Sequence, residues 1–337
     1  MAQPALSTVD AFKHIHTDET VTLDEKSLHA LQETEEEILD DVADFCDRNG
    51  LTYELGGGSA LGAVRGHGMI PWDDDIDINM PRADYDRFIP LFRKEYGGKY
   101  WIHTPQETAN YGLLLTRIRR KGTSVKTRED FCNPECGAFI DVFVIENTYD
   151  DAFRRGIHGL GCMAYGFLVS CRKFRRDRKE LMRLADGTGD ARIKKVFRTK
   201  IFIGTLIGWR SLDSLVRHGD RWNALCRNNQ TRFVTIPTGR KLFRGELYLR
   251  DQVCSTVTLP YGKGTKKCPK DTAAYLTRLY GPDYMTPPKE ADREAHVFFR
   301  PFYLSEDPAR TNETTGYTDI DASEERMKNG RRQSTAI

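Results

Sequence analysis

Residues 55–79 read LGGGSALGAVRGHGMIPWDDDIDIN, a glycine-rich turn followed by a packed run of carboxylates. Gly56, Gly57 and Gly58 remove every Cβ from a tight turn, so the backbone N–H groups there and at Ser59 can approach and cradle a phosphate. Downstream, Asp75-Ile76-Asp77-Ile78 alternates acid with β-branched residue. A strand's two-residue period then puts both carboxylates on one face and the isoleucines on the other. Two like charges that close require a cation, and oxygen-only ligands suit Mg²⁺ or Mn²⁺, which bind through one or two carboxylates plus substrate phosphate oxygens. Taken singly, a glycine-rich turn is usually only a turn and an acidic cluster a solvated loop. These acids, however, sit in an apolar frame of Met69, Ile70, Trp72, Ile76 and Ile78, where carboxylates without a cation are costly. A phosphate cradle beside a divalent-metal site makes a phosphoryl-transfer centre, with Asp73, Asp75 and Asp77 as its acids.

The flanking sequence builds a scaffold for this stretch. Leu28, Leu31, Ile38, Leu39, Val42, Phe45 and Cys46 recur at helical spacing, with Glu33, Glu35, Glu36 and Glu37 read as outward, and Gly50 ends the helix. Residues 51–55 form a short strand into the turn, and 59–64 a helix whose N-terminus faces the phosphate. Arg65 is placed to hold a phosphate oxygen or to pair with Asp73 or Asp74. Residues 82–96 read as an amphipathic helix, and 100–103 and 113–119 as strands. Arg117 and Arg119 share one face of the latter, either a rail for a diphosphate or a solvated edge. The run Phe139-Ile140-Asp141-Val142-Phe143-Val144 holds a lone acid among apolar residues. Such an acid needs a partner, so Asp141 is the third candidate carboxylate, as metal ligand or proton acceptor. Cys132 and Cys136 have no second Cys or His pair nearby and read as two thiols in a loop rather than a zinc site.

The run GGGSALGAVRGHGMIPWDDDIDI closely resembles the signature of the LicD/fukutin-related family, cholinephosphotransferase-like proteins with a nucleotidyltransferase-type fold. The resemblance maps Gly58-Ser59 onto the family's Gly-Ser turn, Asp75 and Asp77 onto its Asp-x-Asp metal pair, and Asp141 onto a third acid on a later strand. It also favours donor binding by Arg117 and Arg119. Two departures stand out: Gly66 occupies the place after Arg65 where many relatives have His, the histidine here being His67, and Pro282 is an extra residue in the closing YGPDYMTPP segment. The resemblance implies a CDP-linked donor such as CDP-choline, a hydroxyl acceptor on a cell-surface glycan or its lipid-linked precursor, and release of CMP.

Composition bounds the rest. Fifty-one Lys and Arg against 49 Asp and Glu give a net charge of +2, which argues against bulk nucleic-acid binding. The balance is uneven, because residues 152–217 carry 16 Lys and Arg against 5 Asp and Glu, a local +11. Two short apolar runs, 156–171 and 201–209, lie inside that block. It is read either as a surface for peripheral contact with an anionic membrane or as a helical insert packed on the core. No secretory h-region or spanning stretch is seen, so the expected location is cytoplasmic, at the inner face of the membrane if the first reading holds. The eight cysteines are then reduced and mostly buried.

The expected architecture is an α/β (α+β) fold, a nucleotidyltransferase-type mixed sheet flanked by helices with a basic helical insert. Residues 1–26 form a flexible arm, 27–150 the catalytic core, 151–220 the insert, 221–304 the rest of the catalytic domain and 305–337 a disordered tail. Within 221–304, 232–236 and 253–259 read as strands, 262–268 as a basic loop and 272–280 as a helix. Nucleotidyl transfer to a small hydroxyl compound and a non-catalytic membrane-binding scaffold are the competing functions.

Overall fold

A computed structural model describes residues 20–289, 293 and 296–305. The expected N-terminal arm falls mostly outside the described residues, and the expected tail almost wholly so. In chain order the elements are β1 (Thr20–Val21), α1 (Glu25–Asn49), β2 (Glu54–Leu55), α2 (Gly57–Gly66), β3 (Ile76–Pro81), α3 (Arg82–Tyr96), β4 (Tyr100–His103), β5 (Thr116–Arg120), β6 (Ser124–Thr127) and β7 (Phe139–Asn147). There follow α4 (Ala152–Arg176), α5 (Arg178–Thr188), α6 (Ala191–Leu206), α7 (Leu212–Asn223), β8 (Phe233–Thr235), α8 (Leu242–Gly245), β9 (Leu247–Leu249), α9 (Arg250–Val253), β10 (Thr256–Tyr261), β11 (Gly264–Pro269), α10 (Thr272–Tyr280) and β12 (Phe298–Tyr303).

The central sheet has seven strands: β2-β3-β7-β5-β4 in order, with β8 joining β7 and β9 joining β8. It is mixed, β3 and β7 running parallel while β2, β5 and β4 pair antiparallel. Helices flank it, as the sequence predicts. The alternation of Ile76 and Ile78 with acids works as expected, since both isoleucines are fully buried among Ile38, Val42, Phe88 and Ile140. Asp24 caps α1 by accepting from the Ser27 amide at 2.7 Å, and Gly50 closes it at φ 59°, a left-handed conformation that costs glycine little.

Outside the central sheet, three elements differ from the sequence reading. Residues 264–269 are a strand pairing with β10 as a hairpin, not a loop; Lys266 and Lys267 reach across to Asp40 and Asp47 on α1. Residues 250–253 are a helical turn, so the strand expected from 253 begins at Thr256. A separate three-stranded sheet, β1-β12-β6, was not anticipated. The basic block is four helices, α4 to α7, and all eight cysteines are free thiols, five of them buried.

Candidate active site

The start of α2 and the acid run are stitched together through the backbone. Gly56 N–H donates to the Asp77 carbonyl at 2.9 Å, and the Asp77 amide donates to Ser59 Oγ at 2.9 Å. Gly57 N–H donates to the Tyr275 hydroxyl on α10 at 3.0 Å. On the other side, Gln32 of α1 donates to the Asp73 carbonyl at 2.8 Å and so braces the loop that carries the acids. The glycines are needed for a reason beyond the backbone turn. A Cβ at Gly57, whose φ is +42°, would lie 2.6 Å from Asp77 Oδ2, and one at Gly58 would lie 2.5 Å from Asp73 Oδ2. The carboxylates are therefore packed directly against the first turn of α2, where the helix dipole favours negative charge.

Register supplies the next acid. Asp77 sits beside Asp141 across the parallel β3–β7 pair, and Arg117 sits opposite Asp141 across the antiparallel β5–β7 pair. Arg117 clamps Asp141 in a fork, Nε to Oδ1 at 2.7 Å and Nη2 to Oδ2 at 3.1 Å, with its guanidinium 4.0 Å from the centre of the Phe139 ring. Burial comes first in the electrostatics, followed by repulsion among the acids. Burial together with Asp75 and Asp74 holds the Asp73 carboxyl well above the usual range, and burial together with Asp75 and Asp141 does the same for Asp77. Asp75 is pushed up to about 6, burial being partly offset by the His296 imidazolium. These groups open into a cavity of about 730 Å³ whose wall includes Gly57, Gly58, Asp73, Asp75, Asp77, Arg117, Asp141, Arg240, Tyr280 and His296.

Several residues lie elsewhere than the sequence reading placed them. Arg119 is fully buried and bonds Asp130 at 2.6 Å and the Gly137 carbonyl at 3.3 Å, so it is no diphosphate rail. It shares a face with Arg117 as expected, but that face packs on Phe139 rather than facing a ligand. Arg117 does line the cavity, with its fork spent on Asp141. The Ser59 hydroxyl is engaged by the Asp77 amide, which makes it a brace for β3. Arg65 pairs with neither Asp73 nor Asp74; it donates to the carbonyls of Tyr284 and Thr286 (3.0 Å to the latter) and fastens the segment after α10 over the cavity. His67 caps α2 in a left-handed conformation, and its ring faces the Ala63 carbonyl at 3.1 Å.

Two participants escaped the sequence reading. His296, just before β12, donates its amide to Asp74 at 2.7 Å and holds the same carboxylate through Nδ1 at 2.9 Å, with Asp75 at 3.8 Å. Burial works against its charge, but the Asp74 carboxylate prevails and raises the imidazolium to about 9. Asp74, Asp75 and His296 place one ligand atom each within 4.8 Å of one another. Glu35 points inward, not outward: it is fully buried, both its carboxylate oxygens are without a hydrogen-bond partner among the described residues, and burial plus Asp75, Asp74 and Asp73 hold its carboxyl well above the usual range.

This geometry coincides with a match at the level of sequence families. Residues 50–150 match the family model described as LicD/FKTN/FKRP, nucleotidyltransferase domain. These residues are similar to a LicD-type domain. Lipopolysaccharide cholinephosphotransferase LicD of Haemophilus influenzae is 34% identical over 129 residues, which is 38% of this chain and 46% of that protein. Uncharacterized proteins of Rickettsia typhi and Rickettsia prowazekii are 33% and 38% identical over 61 residues, 17% of this chain in each case. The chain therefore matches less than half the length of these relatives. Asp73, Asp74, Asp75, Asp77, Glu129 and Asp141 of the cavity wall, and both glycines of its helical wall, fall inside the matched stretch, whereas Glu246 and Asp283 of the wall lie beyond it. Arg240, Tyr280 and His296 come from outside it, which shows that the chain completes the cavity with its C-terminal part.

Proposed function

We propose that this protein is a metal-dependent phosphotransferase that moves a phospho-alcohol, phosphocholine or a close analogue, from a CDP-linked donor to a hydroxyl of a cell-surface glycan or its lipid-linked precursor, releasing CMP. The observation that carries the reading is the meeting, in one cavity of a LicD-like domain, of a helix N-terminus built from Gly57 and Gly58 with the carboxylates of Asp73, Asp75 and Asp77. The named activity of the Haemophilus influenzae relative supports the choice of phospho-alcohol.

Oxygen ligands whose carboxyls are raised by burial and mutual repulsion fit Mg²⁺ or Mn²⁺, with Asp75 and Asp77 as the holding pair. Such an ion, when bound, supplies charge neutralisation of the donor diphosphate. The chain's own residues do the rest. The α2 N-terminus favours the anionic donor through its dipole, and the Arg117–Asp141 fork fixes the wall beside Asp77. An acid of the cluster takes the proton of the attacking hydroxyl, Asp73 being the one packed against Gly58. The phosphorus–oxygen bond to CMP breaks as the bond to the acceptor oxygen forms. A lipid-linked acceptor places the reaction at the inner face of the cell membrane.

The test is incubation with Mg²⁺, a glycan acceptor and a panel of CDP-alcohols, with chromatography for CMP. Metal-dependent CMP formation with one or more donors is expected. Pyrophosphate release from a nucleoside triphosphate instead would establish nucleotidyl transfer, the activity named for the family domain.

A further inference from the structure

Helix α4 carries a face that the other described residues leave uncovered. Residues 156–171 hold no Asp, Glu, Lys or Arg. A helix apolar all round is normally enclosed by protein or lipid. One side of α4 is enclosed: His158 accepts from Trp222 Nε1 at its backbone carbonyl (3.0 Å), Gly161 sits under the same indole, and Val169 packs with Leu212 and Leu215 of α7. The opposite line runs Phe153, Ile157, Leu160, Ala164, Phe167 at three- and four-residue steps, and every one of these side chains is exposed, Phe153 by 76% and Leu160 by 64%. One turn further on, α4 meets the end of α6, where Lys200 Nζ bonds Ser170 Oγ at 2.9 Å and Arg172 bonds the Gly204 carbonyl at 2.9 Å. That end exposes Phe202, Leu206 and, just beyond the helix, Trp209 at 79%.

The charges around this apolar surface sort into two groups. The cluster most conspicuous in the sequence, Arg172 to Arg176, is largely spent on the fold. Arg172 holds backbone carbonyls, Lys173 is buried on Glu129 and Asp177, and Arg176 bonds Asp177. Arg178, Lys179 and Arg198 instead are exposed and rim a groove floored by Met182, Ile201 and Phe202. Cations set over an apolar floor match an anionic headgroup above its acyl chains.

We propose that the exposed line of α4 and the basic groove between α5 and α6 together seat the protein on an anionic phospholipid membrane. A second copy of the chain is disfavoured as occupant, since a twofold interface would oppose one +11 block to another. No helix among the described residues is long and apolar enough to cross a membrane, whereas shallow insertion of a short apolar face with basic flanks needs no such length. The same helix touches the active cavity: Lys173 Nζ bonds Glu129 Oε2 at 2.7 Å, and Glu129 lines the cavity wall. Seating α4 would thus fix how the cavity faces the bilayer. This deepens the reading of a lipid-linked acceptor and rests on it for its purpose, but the binding itself can be measured without donor or acceptor.

The experiment is flotation of the full chain with phosphatidylcholine vesicles and with phosphatidylcholine–phosphatidylglycerol vesicles across a salt series. Binding to the anionic vesicles alone, weakening as salt shortens the Debye length below roughly 8 Å, is expected. The variant F153S/I157S/L160S should lose at least about tenfold in vesicle affinity with an unchanged melting temperature, because these side chains are exposed in the fold. R178Q/K179Q/R198Q should lose the preference for anionic lipid. Trp209 emission should shift to the blue on binding, a change absent in W209F. Failure of the intact protein to float with anionic vesicles would overturn the proposal, as would unchanged flotation of the triple-serine variant or a Trp209 signal indifferent to vesicles. CMP formation toward a soluble acceptor is scored separately, so that loss of flotation and loss of catalysis are told apart.

Discussion

Replacing Gly58 by alanine should damage the site while sparing the fold. The new Cβ would stand 2.5 Å from Asp73 Oδ2. Ordinary contacts between such atoms lie near 3.5 Å, so the carboxylate must retreat by about 1 Å. It can do so by turning a short side chain, and the backbone at Gly58, inside the first turn of α2, has no left-handed φ to strain. Alanine in a helix is if anything favoured over glycine, by up to about 1 kcal/mol. The melting temperature should therefore hold or rise slightly. A displacement of about 1 Å in a reacting group costs on the order of 100-fold in rate, or about 2.7 kcal/mol of transition-state stabilisation. Initial rates of CMP formation at several Mg²⁺ concentrations, beside thermal melts, provide the assay. Gly57→Ala is the control: its φ of +42° adds about 1–2 kcal/mol of backbone strain, so there both stability and rate should fall. A Gly58→Ala protein with wild-type kcat/KM and unchanged Mg²⁺ dependence would refute the view that close packing of Asp73 on α2 positions the chemistry.

Asp75→Asn and Asp77→Asn should each abolish transfer while the metal-free melting temperature stays equal or rises, since each removes one member of a mutually repelling set; melts in chelator and rates in saturating Mg²⁺ check this. Arg119→Ala leaves Asp130 buried and unpaired, so it should cost about 3–5 kcal/mol in denaturant unfolding. Turnover of the folded fraction should be near wild type; lost activity with intact stability would restore Arg119 as a donor ligand. For pH, the sign follows from the raised folded-state value of Asp75, about 6 against an ordinary 3.8. The folded state binds that proton more tightly, so its contribution is fully present below about pH 4 and is lost as pH climbs to about 6. His296, held near 9, likewise loses its contribution between about pH 6.5 and 9. Metal-free melting temperatures should fall along this path, less steeply in Asp75→Asn, and Mg²⁺ should raise them more at alkaline pH; a rise with pH in chelator would contradict the assignment.

The elements that place the site were legible wherever local periodicity decides structure. Helix 82–96 and strand 100–103 fall where the sequence put them, and the acid–isoleucine alternation announced β3. What one sequence withholds is which charge meets which. Arg117 and Arg119 alternate as a ligand rail would, yet each is neutralised by an acid that register or a distant turn brings in, Asp141 from β7 and Asp130 from the loop after β6. Glu35 was misread for its residue type, although the signal was present: it lies four residues after Leu31 and three before Ile38, in the middle of the buried stripe. His296 lies in no motif and reaches Asp74 across 222 positions, a separation that spacing rules do not bridge. The hairpin of β10 and β11 was half-seen, because Lys266 and Lys267 suggested solvent when their partners are on α1.

The most direct measurement follows the two phosphorus atoms of the donor. A CDP-alcohol labelled in the phosphate next to the alcohol, incubated with Mg²⁺ and a glycan acceptor, should deliver that label to the acceptor, while label in the phosphate next to cytidine should remain in CMP. Both transfers should vanish in Asp77→Asn and in chelator. Cytidine-side label appearing in the acceptor, or transfer indifferent to Asp77 and to metal, would contradict the account.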